Sequence, residues 1–142
     1  MENFKLFFIV LLLVSCNNHE FINEDFAIGW KLSSLELGLS GEIVKSEDLS
    51  FEETYYFNQN NSFTKIRTEK DQILKAEGTY LFESSGDVTK LILTYNQINE
   101  LIENCDGSDT EILINEDNQQ LIGGPSSCDG PIYTYMPFIK RD

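Results

Sequence analysis

The most constraining stretch of this chain is Leu74 to Phe82. Leu74, Ala76, Gly78, Tyr80 and Phe82 share one parity there, while Lys75, Glu77 and Thr79 take the other. Successive side chains of a strand point to opposite faces, so the run predicts a half-buried strand with one wet face. Similar short runs recur on both sides of it. Ile28 to Leu37 comes first, followed by a loop with Gly38, Gly41 and the acidic Ser46-Glu47-Asp48. Phe51 to Phe57 and Ser62 to Thr68 flank Asn58-Gln59-Asn60-Asn61, a hairpin loop, since Asn tolerates positive φ. Ser84-Ser85-Gly86-Asp87 turns the chain into Val88 to Tyr95, and Glu111 to Asn115, Gln119 to Ile122 and Pro131 to Phe138 complete the set. Between Tyr95 and Glu111, the residues Ile98, Leu101, Ile102 and Cys105 have helical spacing. Strand-like neighbours and the weak helix formers Asn99 and Asn104 favour strand for 98–104. Eight or nine short strands and no long helix predict an all-β chain. The expected fold is an antiparallel up-and-down meander closing into a small barrel of about eight strands, because closure removes exposed edges.

Whether that barrel is hollow depends on the inward parity. The chain holds ten Phe, six Tyr and one Trp, a surplus for a small core. Tyr55, Tyr80, Tyr95, Tyr133 and Tyr135 suit a cavity wall, with apolar rings and a wet hydroxyl. Trp30, Phe57, Ala76, Gly78 and Phe82 complete the candidate lining. Ala76 and Gly78 are small, leaving room for a ligand or for bulky side chains from across the barrel. Against a cavity, Tyr and Phe are favoured in strands anyway, and an eight-stranded barrel is often filled by its own side chains. The filled interior is the leading expectation and the hollow one its alternative.

The N-terminus addresses location. Lys5 precedes Leu6 to Val14, a run without a polar side chain that ends at Ser15 and Cys16. Such a run is shorter than the roughly 20 residues that span a bilayer. It fits the apolar core, about 7–15 residues long, of a secretory signal. Leu13-Val14-Ser15-Cys16 resembles the bacterial lipoprotein box, in which the Cys is lipidated and becomes the first residue. That resemblance implies a signal peptide over 1–15, lipidation at Cys16, a polar tether over 16–25 and a barrel domain over 26–142. An uncleaved anchor is the alternative. The mature protein would be exported and lipid-anchored to the cell envelope. Asn17, in place of the Asp that retains many such proteins at the inner membrane, favours the outer membrane.

Removal of the signal leaves 127 residues, one domain in size, and the formal charge stays at −14. Such a field repels phosphates and anionic headgroups, so nucleic acid is excluded as a partner. A basic protein, a cation or a neutral ligand remains open. With Cys16 assigned to lipid, Cys105 and Cys128 are left, and an oxidising compartment favours a bridge between them. Zinc would need more ligands, and the single histidine, His19, lies in the tether. A histidine-based triad therefore lacks a positioned base. Carboxylate pairs could be drawn from Glu52, Glu53, Glu83 or Glu100, but nothing singles out two. Asp106-Gly107-Ser108-Asp109 lacks the spacing of an EF-hand loop and reads as a turn. No enzyme, metal or cofactor is expected.

Several landmarks bear on family: Trp30-Lys31-Leu32, Tyr55-Tyr56-Phe57 before the Asn-rich turn and Phe63, Gly78-Thr79-Tyr80, Leu91 to Tyr95, and Cys128-Asp129-Gly130-Pro131 with Tyr133 and Tyr135. Together, over Ile28 to Phe138, the chain resembles bacterial lipocalin-like lipoproteins. Lipocalins proper carry a Gly, one residue, then Trp, whereas Gly29 directly precedes Trp30 here. Their late Arg, which stacks on that Trp, would correspond to Arg141. The resemblance implies a lipid-anchored envelope module, lipocalin-like, whose barrel mouth is able to hold a small hydrophobic ligand. The alternatives are an acidic interaction or inhibitor lipoprotein that caps a basic protein, as lysozyme-inhibiting lipoproteins do, or a ligand-free structural lipoprotein.

Overall fold

A computed structural model describes residues 28–86, 88–116, 119–124 and 128–139. Its strands are β1 (Ile28–Glu36), β2 (Ile43–Lys45), β3 (Phe51–Phe57), β4 (Ser62–Glu69), β5 (Gln72–Ser85), β6 (Val88–Tyr95), β7 (Thr110–Glu116), β8 (Gln120–Gly123) and β9 (Ile132–Phe138). They form one sheet in the order β2-β1-β3-β4-β5-β6-β7-β8-β9, and β1 also pairs with β9. Every pairing is antiparallel. The result is the expected up-and-down meander, a closed eight-stranded, lipocalin-like barrel with one extra strand. Residues 1–25, with Cys16 and His19, and Arg141 lie outside the described residues.

Alternation in the sequence becomes alternation between lumen and solvent. Tyr55 and Phe57 on β3, Phe63 on β4, Leu91, Leu93 and Tyr95 on β6, and Tyr133 and Tyr135 on β9 are all buried. In β1 the phase slips, because Trp30 and Leu32 are buried and so is Leu35. The register shifts between Leu32 and Ser34, where a bulge adds one residue and restores the inward phase. The Ser33 hydroxyl, at the bulge, donates to the Thr134 carbonyl at 3.0 Å. In the turn over 58–61, Asn61 takes φ 61°, as an Asn-rich hairpin allows.

Three local expectations need correction. Segment 98–104 is not a strand but an irregular crossing, with Leu101 fully buried and Ile102 packed against the core. Asn99 explains this: its side chain donates to the Gln97 carbonyl and accepts from the Leu101 amide, both at 2.9 Å. Such local bonds compete with a ladder. The loop after β1 contains the short β2 and a 3₁₀ turn over Ser46–Asp48. Lastly, β5 runs on to Ser85, past the end of its pairing with β4 at Thr79.

Candidate functional site

Trp30, Tyr55, Phe57, Ala76, Gly78, Tyr95, Tyr133 and Tyr135 are buried and share the inward face, and Tyr80 packs against the same core. The space beside Gly78 is taken. A Cβ on Gly78 would strike the Thr94 carbonyl and the Phe63 ring. Phe63 meets Tyr95 edge-on at 4.9 Å, and Lys65 stands opposite Ala76 in register. Phe57 and Tyr80 are in edge contact at 5.0 Å, and the Tyr80 hydroxyl donates to the Asn58 carbonyl at 2.8 Å. Phe82 is the exception, with 58% of its surface exposed. It pairs with Leu91 beyond the point where β4 stops, so no strand covers it on that side.

At the centre of the lumen lie charges. Glu53 and Lys65 are fully buried and Glu111 is 2% exposed. The Lys65 ammonium donates to the Leu101 carbonyl at 2.6 Å and stands 3.4 Å from Glu53 and 3.5 Å from Glu111. It also sits 4.9 Å from the centre of the Tyr55 ring. Tyr55 and Tyr95 donate to the two oxygens of Glu111 at 2.9 and 2.5 Å, and Tyr135 donates to Glu53 at 2.5 Å. Arg67 donates to Glu53 at 2.6 Å and to Glu103 at 2.7 Å, with its guanidinium over Phe51. A buried charge is costly unless paired and hydrogen-bonded, and these partners meet that cost. The irregular segment 98–104 thereby acquires a role: it brings Leu101 and Glu103 to one end of the barrel.

Burial shifts these groups. The hydroxyls of Tyr55 and Tyr135 are pushed well above the ordinary tyrosine range, chiefly by burial and then by the facing carboxylates, and Tyr95 is raised for the same reasons. They stay protonated and act as donors. Glu111 is raised by burial, which outweighs the opposing pull of Lys65 and the two tyrosine hydroxyls. Burial pulls Arg67 down, but Glu53 and Glu103 hold it above its ordinary value.

Among the described residues, a larger open space lies on the other side of the wall. A cleft of about 580 Å³ lies between the outer face of β7 to β9 and the loop over 103–108. Its apolar side comprises Ile112, Ile114, Ile122 and Ile132. Ile114 pairs with Ile122 across the strands and faces Lys90 on β6, so these side chains share the outward face. The polar side is braced from within, because the Asn104 amide donates to the carbonyls of Ser108 and Thr110 at 2.9 and 2.8 Å. Asp106 accepts the Ser108 amide at 3.0 Å, which holds its carboxyl below the usual range. Cys105 lines the cleft and is bonded to Cys128 in the β8–β9 connection, with the Cα atoms 5.9 Å apart.

Of the carboxylates considered from sequence, Glu53 is in the network, while Glu52 is exposed and pairs with Lys31 at 2.9 Å, and Glu83 and Glu100 are exposed. Lys65, Arg67, Glu103 and Glu111 were not singled out. The signal was there in part. Phe51, Glu53, Tyr55 and Phe57 share a parity, as do Phe63, Lys65 and Arg67, which places charges on an otherwise aromatic face. Register then makes Glu53 face Arg67 and Tyr55 face Lys65. The outer isoleucines had the same kind of signal, an apolar residue at the wet parity of β7 and β8. Among known proteins, no family model, no curated protein and no solved structure matches this chain.

Proposed function

We propose that the protein is a lipid-anchored binding module of the cell envelope, exported behind residues 1–15 and held by Cys16. In this reading the barrel is a rigid scaffold and not a ligand cup. The observation that carries it is the packed lumen: with rings and ion pairs filling the inside, the barrel offers a partner its outer face and end loops. The Cys105–Cys128 bridge is consistent with an exported protein. The reading is non-enzymatic, because Glu53 and Glu111 are spent on Lys65, Arg67 and tyrosine hydroxyls. Two measurements test it. Detergent partitioning should move the parent, but not Cys16→Ser, into the detergent phase; equal partitioning removes the anchor. Native mass spectrometry of protein purified without a detergent wash should show a retained small molecule, and a bare chain mass counts against a binding module.

A second reading has its own observation. The β1–β2 hairpin exposes Leu37, Leu39 and Ile43, Leu39 by 89%, beside the exposed acids Glu36, Glu42 and Glu47. An apolar tip with exposed acids near it in sequence, on a chain of charge −14, fits a basic protein partner. Lysozyme assayed with the full chain tests this: inhibition that fades with added salt supports it, and unchanged activity removes that partner.

A further inference from the structure

We propose that the outer cleft between the isoleucine face and the disulfide-tied loop binds a small amphipathic cation, its apolar body on Ile112, Ile114 and Ile122 and its positive head towards Asp106. The proposal rests on the binding-module reading and deepens it by placing the site and naming the ligand chemistry. The first argument is size. About 580 Å³ falls within the roughly 300–1,000 Å³ typical of small-molecule sites, which are mostly apolar with a few placed polar groups.

Preorganisation is the second argument. The polar wall is fixed by the Asn104 bonds to Ser108 and Thr110, and the disulfide fastens that wall to the β8–β9 connection. The apolar wall is barrel, held by paired strands. A ligand entering such a cleft pays little to order it. Charge is the third. Glu103, Asp106, Glu111 and Lys90 line the cleft, and Arg67 and Lys65 offset the first and third of these carboxylates. Glu103 is already bonded to Arg67 and Glu111 lies inside the wall, so Asp106, exposed and ionised, is the group that meets the head. An anionic head would be repelled by Asp106 and by the chain's overall charge of −14.

The test compares three probes that share an octyl tail: octyltrimethylammonium, octyl glucoside and octyl sulfate, each below its micelle concentration. Binding to the oxidised full-length protein is followed by titration calorimetry and by amide chemical shifts. The expected result is that the cation binds at least tenfold more tightly than the sulfate, with shifts confined to the residues lining the cleft, at 90, 103–114, 122–124 and 132. Asp106→Asn should weaken the cation about tenfold, and Ile122→Trp, which fills the cleft, should abolish binding. Shift mapping on the parent needs no variant, so a misfolded Ile122→Trp leaves the proposal testable. Sulfate binding as tight as the cation, shifts mapping elsewhere, or no binding of any probe would overturn it. A small molecule retained in native mass spectrometry and still retained by Ile122→Trp would sink this site while leaving the binding-module reading intact.

Discussion

The lumen and the outer face of β7 and β8 invert the usual assignment of residues. Inside, the barrel buries Glu53, Lys65 and Glu111; outside, it shows Ile112 with half of its side chain in water. Both patterns sit on strands of the same wall, so strand propensity does not separate them. What separates them is supply. The lumen charges have tyrosine hydroxyls, a main-chain carbonyl and one another as partners, whereas among the described residues the isoleucines border an open cleft. A buried polar cluster that is fully satisfied rigidifies a core, and an apolar strip left open is a place for something to bind.

Removing one member of the lumen cluster should test the contrast most severely. Lys65→Met leaves Glu53 and Glu111 buried without their shared cation, and should cost about 3–5 kcal/mol in urea unfolding. A loss below about 1 kcal/mol would mean that the cluster is not ion-paired as described. Next comes the staple of the outer cleft. Cys105→Ser with Cys128→Ser opens a loop with a sequence separation of 23. It should lower stability by about 2–4 kcal/mol, and reduction of the parent should match it.

Ala76→Trp asks whether the lumen is as full as it looks. Overpacking beside Phe63 and Lys65 should cost about 1–3 kcal/mol, with cleft binding unchanged. No loss of stability would reveal unfilled space in the barrel. Glu111 supplies a pH test. Its folded pKa is raised, so its contribution is fully present below the ordinary carboxylate value and is lost as pH rises through the raised one. Glu111→Gln should therefore flatten the decline in stability between acid and neutral pH. An unchanged pH profile would assign the decline to other groups. The smallest effect belongs to the outer face: Ile112→Ser should stay within about 0.5 kcal/mol of the parent. A larger loss would mean that the isoleucine strip is core and not a binding surface.

The closed meander was legible because period-2 alternation and turn residues are local properties. Leu74 to Phe82 announced its faces without reference to any other strand. The pairing of Cys105 with Cys128 was legible for a different reason: with Cys16 read as lipidated, only two cysteines were left, and export would expose them to an oxidising compartment. Segment 98–104 was misread because Asn99 and Asn104 satisfy the backbone through their own side chains, a choice the pattern of apolar residues does not record. The bulge at Ser33 could not be placed either, because it exists only relative to β9.

By itself, then, the sequence determined most of the strands, the inward face of most of them and the net charge of the chain, all of which follow from residue type and parity. Only the tertiary structure decided that rings and ion pairs pack the lumen, that Glu53 meets Arg67 and Lys65 while Glu111 meets Tyr55 and Tyr95, and that a cleft opens outside the wall. The physical reason is that register and shear bring together residues 14 to 82 positions apart, as in Glu53–Arg67 and Glu53–Tyr135. No local pattern encodes which of two equally apolar faces will be covered.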